Sequence, residues 1–217
     1  MLSYTLVNGL AGLLIVTSQM VILAKTSRDS AKFYAIQSLV LVLIFLTLAK
    51  IQGNEELYLW SVSAFITKVV FVPLVALKVF GKLHDEKLGG GGGLPPILSI
   101  ALSGVVVILC FVVVLGVSLP GAASIKPALA VSLAHFFLGL SCIVTQRNIL
   151  KQVFGYCLME NGSHLTLALL ASGAPELVEV GIATDAIFAV VVMAVLGTRI
   201  FQKLQTLDAR QLTSLKG

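Results

Sequence analysis

Five ionisable side chains, Lys68, His135, Glu160, His164 and Asp185, stand inside stretches of this chain that are otherwise apolar. An amine, two imidazoles and two carboxylates are groups that exchange protons. At mid-depth in a bilayer each charge costs roughly 2.5–3.5 kcal/mol even on the most lenient scale. A chain that keeps several of them points to proton or ion handling. The densest stretch is Gly155-Tyr156-Cys157-Leu158-Met159-Glu160-Asn161-Gly162-Ser163-His164. On a helix, spacing by three and four sets Cys157, Glu160, His164 and, more loosely, Ser163 on one face. A Glu with a His one turn later is a proton relay in outline. The competing reading is a polar patch that glues helices together, with Gly155 and Gly162 permitting close approach. Such patches are usually built from Asn, Ser and Thr and seldom need an ionisable Glu, which favours the relay.

The other three groups carry less information. Lys68 lies too deep in its apolar run to snorkel to either surface. Asp185 has nothing basic near it in sequence, so its partner must come from another helix. For both, a static pair with an opposite charge and a charge that alternates partners during proton transfer are equally open. His135, between Lys126-Pro127 and Phe136-Phe137, is the weakest of the five, because a lone membrane His often only donates to a carbonyl. Haem ligation by His135 and His164 is disfavoured by their different expected depths.

The elements that must hold these groups are helices. The chain is 58% hydrophobic with a mean hydropathy of +1.02, outside the range of soluble domains. Runs of about 20 apolar residues predict seven transmembrane helices, near 2–24, 31–49, 57–80, 97–118, 127–146, 152–172 and 177–198. Backbone amides in hydrocarbon need partners within their own segment, so the fold class is all-α and polytopic. The first run lacks a basic flank before it and a small-residue cleavage site after it, and is read as a retained helix. Alternate connections carry Lys25, Arg28 and Lys32; Lys78, Lys82 and Lys87; Arg147 and Lys151; and Arg199, Lys203, Arg210 and Lys216. The opposite side has only Lys50 and Lys126, with Glu55, Glu56, Glu176 and Glu179. The positive-inside rule then places the N-terminus outside and the C-terminus in the cytoplasm. The net charge of +5 is a topology signal spread over loops, and it does not support nucleic-acid binding.

The chain divides into a first three-helix unit (1–80), a Gly/Pro-rich cytoplasmic loop (81–96), a connector helix (97–118), a second three-helix unit (127–198) and a cytoplasmic tail (199–217). Short matches, such as Ile15-Val16-Thr17-Ser18-Gln19 with Ile143-Val144-Thr145-Gln146, predict a parallel duplication of helices 1–3 and 5–7 joined by helix 4. Cys110, Cys142 and Cys157 fall inside the runs without metal-ligand spacing and read as small packing residues. No phosphate-binding loop, zinc motif, iron–sulfur cysteine cluster or Ser/His/Asp arrangement is present, so no catalytic, cofactor or metal residues are assigned.

Three longer stretches are recognisable. They are Lys126-Pro127-Ala128-Leu129-Ala130-Val131-Ser132-Leu133-Ala134-His135, the segment from Thr145-Gln146-Arg147-Asn148 to His164, and Ala174-Pro175-Glu176-Leu177 through Gly181-Ile182-Ala183-Thr184-Asp185. With Phe33-Tyr34-Ala35-Ile36-Gln37-Ser38, Trp60 to Lys68 and the tail from Leu207, the chain resembles the hydrogenase-4 component E family through nearly its whole length. The last three helices also look like the K-type small subunit of respiratory complex I and the C-type subunit of multisubunit cation/proton antiporters. The K-type pattern has Gly-x-Glu with an Asn four residues after the Glu. Gly155 and Asn161 match it, Cys157 stands at the Glu position, and Glu160 follows one turn later on the same face. The resemblance implies a non-catalytic membrane subunit of a bacterial inner-membrane nickel–iron hydrogenase complex of the formate-hydrogenlyase type. Its buried charges would belong to a lateral proton or sodium pathway. It also implies antiporter-like and complex I H-subunit-like membrane partners, and peripheral subunits that hold the nickel–iron centre and iron–sulfur clusters. An antiporter subunit and a purely structural adaptor are the alternatives.

Overall fold

The computed structural model describes residues 4–80, 93–118, 123–171 and 176–209; in the last helix, side chains are described for Thr184 and from 187 onward. Most of the loop expected at 81–96, the end of the tail and the side chain of Asp185 lie outside the described residues. The described chain is helical throughout, with no strand among those residues.

Seven helices follow one another, each bounded by local chemistry. Helix α1 (Tyr4–Leu23) leads into α2 (Ser27–Gln52), which is capped by the Thr26 hydroxyl accepting from Asp29 N at 3.0 Å. Gly53 ends α2 in the left-handed conformation at φ 63°, where a glycine bears no Cβ penalty, and its N–H returns to Ala49 O. Asn54 then caps α3 through Glu56 N at 2.9 Å. Helix α3 consists of three consecutive segments: Glu55–Ala64, a π-helical stretch Phe65–Phe71, and Val72–Phe80. Pro73, which has no N–H and crowds the turn before it, lies two residues beyond the π-helical stretch.

Helix α4 is Pro96–Gly116 and opens on proline at its first position, where no N–H is needed. Helix α5 (Lys126–Thr145) follows a short 3-10 turn at Ala123–Ile125. Ile125 cannot cap α5, so Asn8 of α1 does, accepting from Ala128 N at 3.0 Å and donating to Ser124 O at 3.1 Å. Asn148 caps α6 (Ile149–Leu170) through Leu150 N at 2.8 Å. Helix α7 is Glu176–Leu204. The segment after α7 turns back onto the connection between α5 and α6, with Ile149 N bonding Leu207 O and Ala209 N bonding Arg147 O.

Six of these helices are long and apolar enough to cross a membrane. The one left out of that set is α6, the helix with the richest polar face. Its neighbours α5, α2, α1 and α7 pack around it, so Lys151, Glu160, Asn161 and His164 meet protein in place of lipid. Expecting seven apolar spans was therefore right about length and generous about α6: a helix enclosed by others does not have to be apolar all round. Helices α5 and α6 form the tightest pair. A Cβ on Gly139 would stand 2.3 Å from Met159 N, and one on Gly162 would stand 2.5 Å from Phe136 N. Gly155, facing Gly139 O, completes the seam. By contrast α4 buries only Ser99, Ser103, Cys110 and Val114, and rides on the outside against α5.

Candidate functional site

The glycine seam between α5 and α6 brings the polar face of α6 against α5 and α2, and the π-helical stretch of α3 closes over it. That stretch buries Thr67 and Lys68. A π turn widens the helix locally and is often found at functional sites. Lys68 exposes 1% of its surface and Glu160 6%, so the pair between them is fully inside the protein. Lys68 Nζ donates to Glu160 Oε1 at 3.0 Å and Asn161 Oδ1 at 2.7 Å, and makes a third, close contact with His164 Nδ1. These are partners for all three ammonium protons. His164 Nδ1 also lies 3.7 Å from the same Glu160 oxygen. One cation thus sits between a carboxylate and an imidazole, both of which can take its proton.

From Asn161 the hydrogen bonds continue sideways through the bundle. Asn161 Nδ2 donates to Gln37 Oε1 on α2 at 2.8 Å and approaches Ser38 Oγ at 3.3 Å. Gln37 Nε2 meets His135 Nε2 on α5 at 3.0 Å, and His135 Nδ1 meets Ser18 Oγ on α1 at 2.7 Å. Ser18 finally donates to Leu14 O. Asn161, Gln37, His135 and Ser18 are wholly buried. The result is one continuous polar chain over five helices, α3, α6, α2, α5 and α1, at about the middle of α2, α3, α5 and α6. It runs across the bundle, not along it.

Four of the five ionisable residues singled out in the sequence meet here. Lys68, Glu160 and His164 form one cluster, and His135 joins it through Gln37 and Asn161. Cys157 is buried on the same side of α6 as expected. Ser163 is not: it is exposed and bonds Met159 O of its own helix. Residues 160 and 163 are three apart, which turns Ser163 60° to one side of Glu160, while His164 lies 40° to the other, toward α3.

Sequence reasoning missed Ser18, Gln37 and Gly139. The one available signal was that Gln37 interrupts an apolar run with a side chain that must find partners. It also counted Lys151 among the loop cations. The structure buries Lys151 to 1% exposure, with Nζ donating to Val21 O at 2.8 Å and Ile22 O at 3.1 Å. Lysine suits that place because the last carbonyls of α1 have no helical donors and carry the negative end of its dipole. Lys151→Met is expected to destabilise the protein by about 1–3 kcal/mol, chiefly through Ile22 O, since Val21 O keeps the Ser30 hydroxyl at 3.3 Å. A thermal-survival assay in detergent checks this, and an unchanged profile would show the carbonyls to be satisfied otherwise. Among the described residues, no group of three His, Cys, Asp or Glu is arranged to hold a metal ion.

Comparison with known proteins agrees with this architecture. The family model for NADH-ubiquinone/plastoquinone oxidoreductase chain 4L matches residues 127–217, the part that contains α5, α6 and α7. Helices α1 to α3, which supply Ser18, Gln37 and Lys68, lie outside that match. Hydrogenase-4 component E of Escherichia coli K12 is 56% identical over 216 residues, covering 98% of both chains, and the Shigella flexneri protein of that name is equally similar. No solved structure matches the chain. Identity at that level over the full length, with the chain-4L match confined to the last three helices, places this multi-pass membrane protein in the hydrogenase-4 component E family.

Proposed function

We propose that this chain is a non-catalytic membrane subunit of a hydrogenase-4-type complex, and that its buried charged residues form part of a lateral proton pathway coupled to hydrogen turnover. The observation that carries this reading is the sharing of the Lys68 ammonium between Glu160 and His164, deep in the bundle. Ion pairs of this depth are costly in a membrane and are kept where they serve transport. Glu160 and Asp185 are the protonatable carboxylates of the pathway. Lys68 and His164 exchange protons with Glu160, and His135 is the far station of the polar chain. Redox work in companion subunits, which hold the nickel–iron centre and iron–sulfur clusters, changes which of these groups is charged. Antiporter-like and complex I H-like membrane subunits continue the pathway on either side. The chain lies in a bacterial inner membrane with its N-terminus outside and its C-terminus in the cytoplasm, as its basic connections require.

The test begins with gentle solubilisation, capture of the tagged chain and identification of its companions, alongside hydrogen assays. Nickel–iron and iron–sulfur subunits are the expected companions. Proton uptake per hydrogen turned over is then compared between wild type, Glu160→Gln and Asp185→Asn. The expected result is normal assembly with at least tenfold weaker coupled uptake in each variant. Full coupling in both variants would reduce the chain to a structural adaptor. Antiporter subunits as sole companions, without hydrogenase activity, would make it a transporter component.

A further inference from the structure

We propose that Gln37 and Asn161 are positioning residues that make a second proton on His135 incompatible with a seated Lys68 ammonium. This rests on the proton-handling reading above and adds an order of events to it. An ammonium has only donors, so Asn161 must turn its oxygen toward Lys68 Nζ, 2.7 Å away. The amide nitrogen of Asn161 then needs an acceptor, and Gln37 Oε1 supplies it at 2.8 Å. With its oxygen engaged, Gln37 presents its nitrogen to His135 Nε2 at 3.0 Å. That ring nitrogen has to accept, which leaves the imidazole proton on Nδ1, directed at Ser18 Oγ. Lys68 thus dictates the tautomer of a histidine on a different helix through two side-chain amides.

The coupling also runs from His135 to Lys68. An imidazolium carries N–H on both nitrogens, and at Nε2 this would set a donor against the Gln37 NH2 in a fully buried site. For His135 to hold the second proton, Gln37 must turn its oxygen to the ring. Ser38 Oγ, which donates to Gln37 Oε1 at 3.3 Å, must then turn to accept from the Gln37 NH2, and Asn161 must offer its oxygen to Gln37 and its NH2 to Lys68. Lys68 accepts from that NH2 only as a neutral amine, after one N–H of the ammonium has broken and one O–H has formed on Glu160, or an N–H on His164. No proton travels through the amides. They turn over and carry hydrogen-bond polarity, so His135 and Lys68 are protonated in alternation. Lys68 and Gln37 lie outside the chain-4L match while His135 and Asn161 lie inside it, so this device ties the N-terminal helices to that unit.

The experiment is nitrogen NMR of the full chain in nanodiscs with 15N-histidine, His135 being assigned by its absence in His135→Gln. At one fixed pH the wild type is expected to show His135 protonated at Nδ1 alone. Lys68→Met, which removes the obligate donor, is expected to raise the Nε2–H population at least tenfold. In a Gln37→Leu background the same Lys68→Met change is expected to leave that population unaltered. An equal rise without Gln37 would mean that Lys68 acts through space and would overturn the proposal. So would an unaltered His135 in Lys68→Met, or a wild type already protonated at Nε2. Should Lys68→Met fail to fold, Gln37→Glu decides: its carboxylate accepts from both neighbours, so His135 should gain the Nε2 proton with Lys68 in place. Persistence of the Nδ1–H form would count against the relay. Neither result depends on whether Glu160→Gln stops coupled uptake, so failure of the relay is told apart from failure of the pathway reading.

Discussion

Lys68→Met is expected to cost the folded protein about 3–5 kcal/mol, the range for removing one member of a buried ion pair, and to abolish coupled proton uptake. Methionine matches the length of the lysine stem, so the loss is that of the ammonium. Glu160 Oε1, Asn161 Oδ1 and His164 Nδ1 all lose a donor at once. Glu160 can neutralise itself by taking up a proton, yet the other two acceptors stay unmatched. The double variant Lys68→Met/Glu160→Gln restores an NH2 among those acceptors and removes the stranded charge. It is therefore expected to be more stable than Lys68→Met alone, by about 1–3 kcal/mol of coupling. It should remain without proton uptake, since no ionisable pair is left at Lys68. Survival of the purified complex on heating reads the first quantity, and uptake into inverted vesicles reads the second. Strictly additive destabilisation would mean that the pair does not act as a unit.

Gly139→Ala and Gly162→Ala are the other large effects, each expected to destabilise by on the order of 3 kcal/mol and to deplete the assembled complex. A methyl at 139 meets Met159 N at 2.3 Å and Gly155 O at 2.5 Å; one at 162 meets Phe136 N at 2.5 Å and Ser132 O at 2.8 Å. These are backbone atoms of a packed helix, so the clash cannot be relieved by rotating a side chain. Helices α5 and α6 would have to part, which pulls His135 away from Gln37 as well. Gly12→Ala and Gly104→Ala are the matched controls, since a Cβ there meets nothing within 4 Å. In mid-helix those two changes should be neutral or stabilising by about 0.5–1 kcal/mol. Gel filtration after a heat step separates the outcomes, and a Gly162→Ala protein as robust as the Gly104→Ala control would refute the close seam.

The physical reach of the sequence is clear from particular residues. Length and hydropathy alone determined the helical, membrane-spanning class and six of the seven spans, because a bilayer imposes a fixed thickness and forbids unpaired backbone. The cost of burying charge marked Lys68, His135, Glu160, His164 and Asp185 as residues to explain, and the short spacing from Glu160 to His164 placed those two on one face. Gly155 and Gly162 were legible as a close-packing surface for the same reason. Long-range partners were not legible. Nothing in the order of residues says that a glutamine on α2 stands between an asparagine on α6 and a histidine on α5, since both contacts join residues about a hundred positions apart. Ser18 and Gln37 look ordinary until the bundle closes, and Lys151 looks like one more loop cation until the end of α1 lies against it. Charge and periodicity act along the chain and can be read there. Which acceptor faces which donor is settled by how helices pack, and only the tertiary structure made that choice.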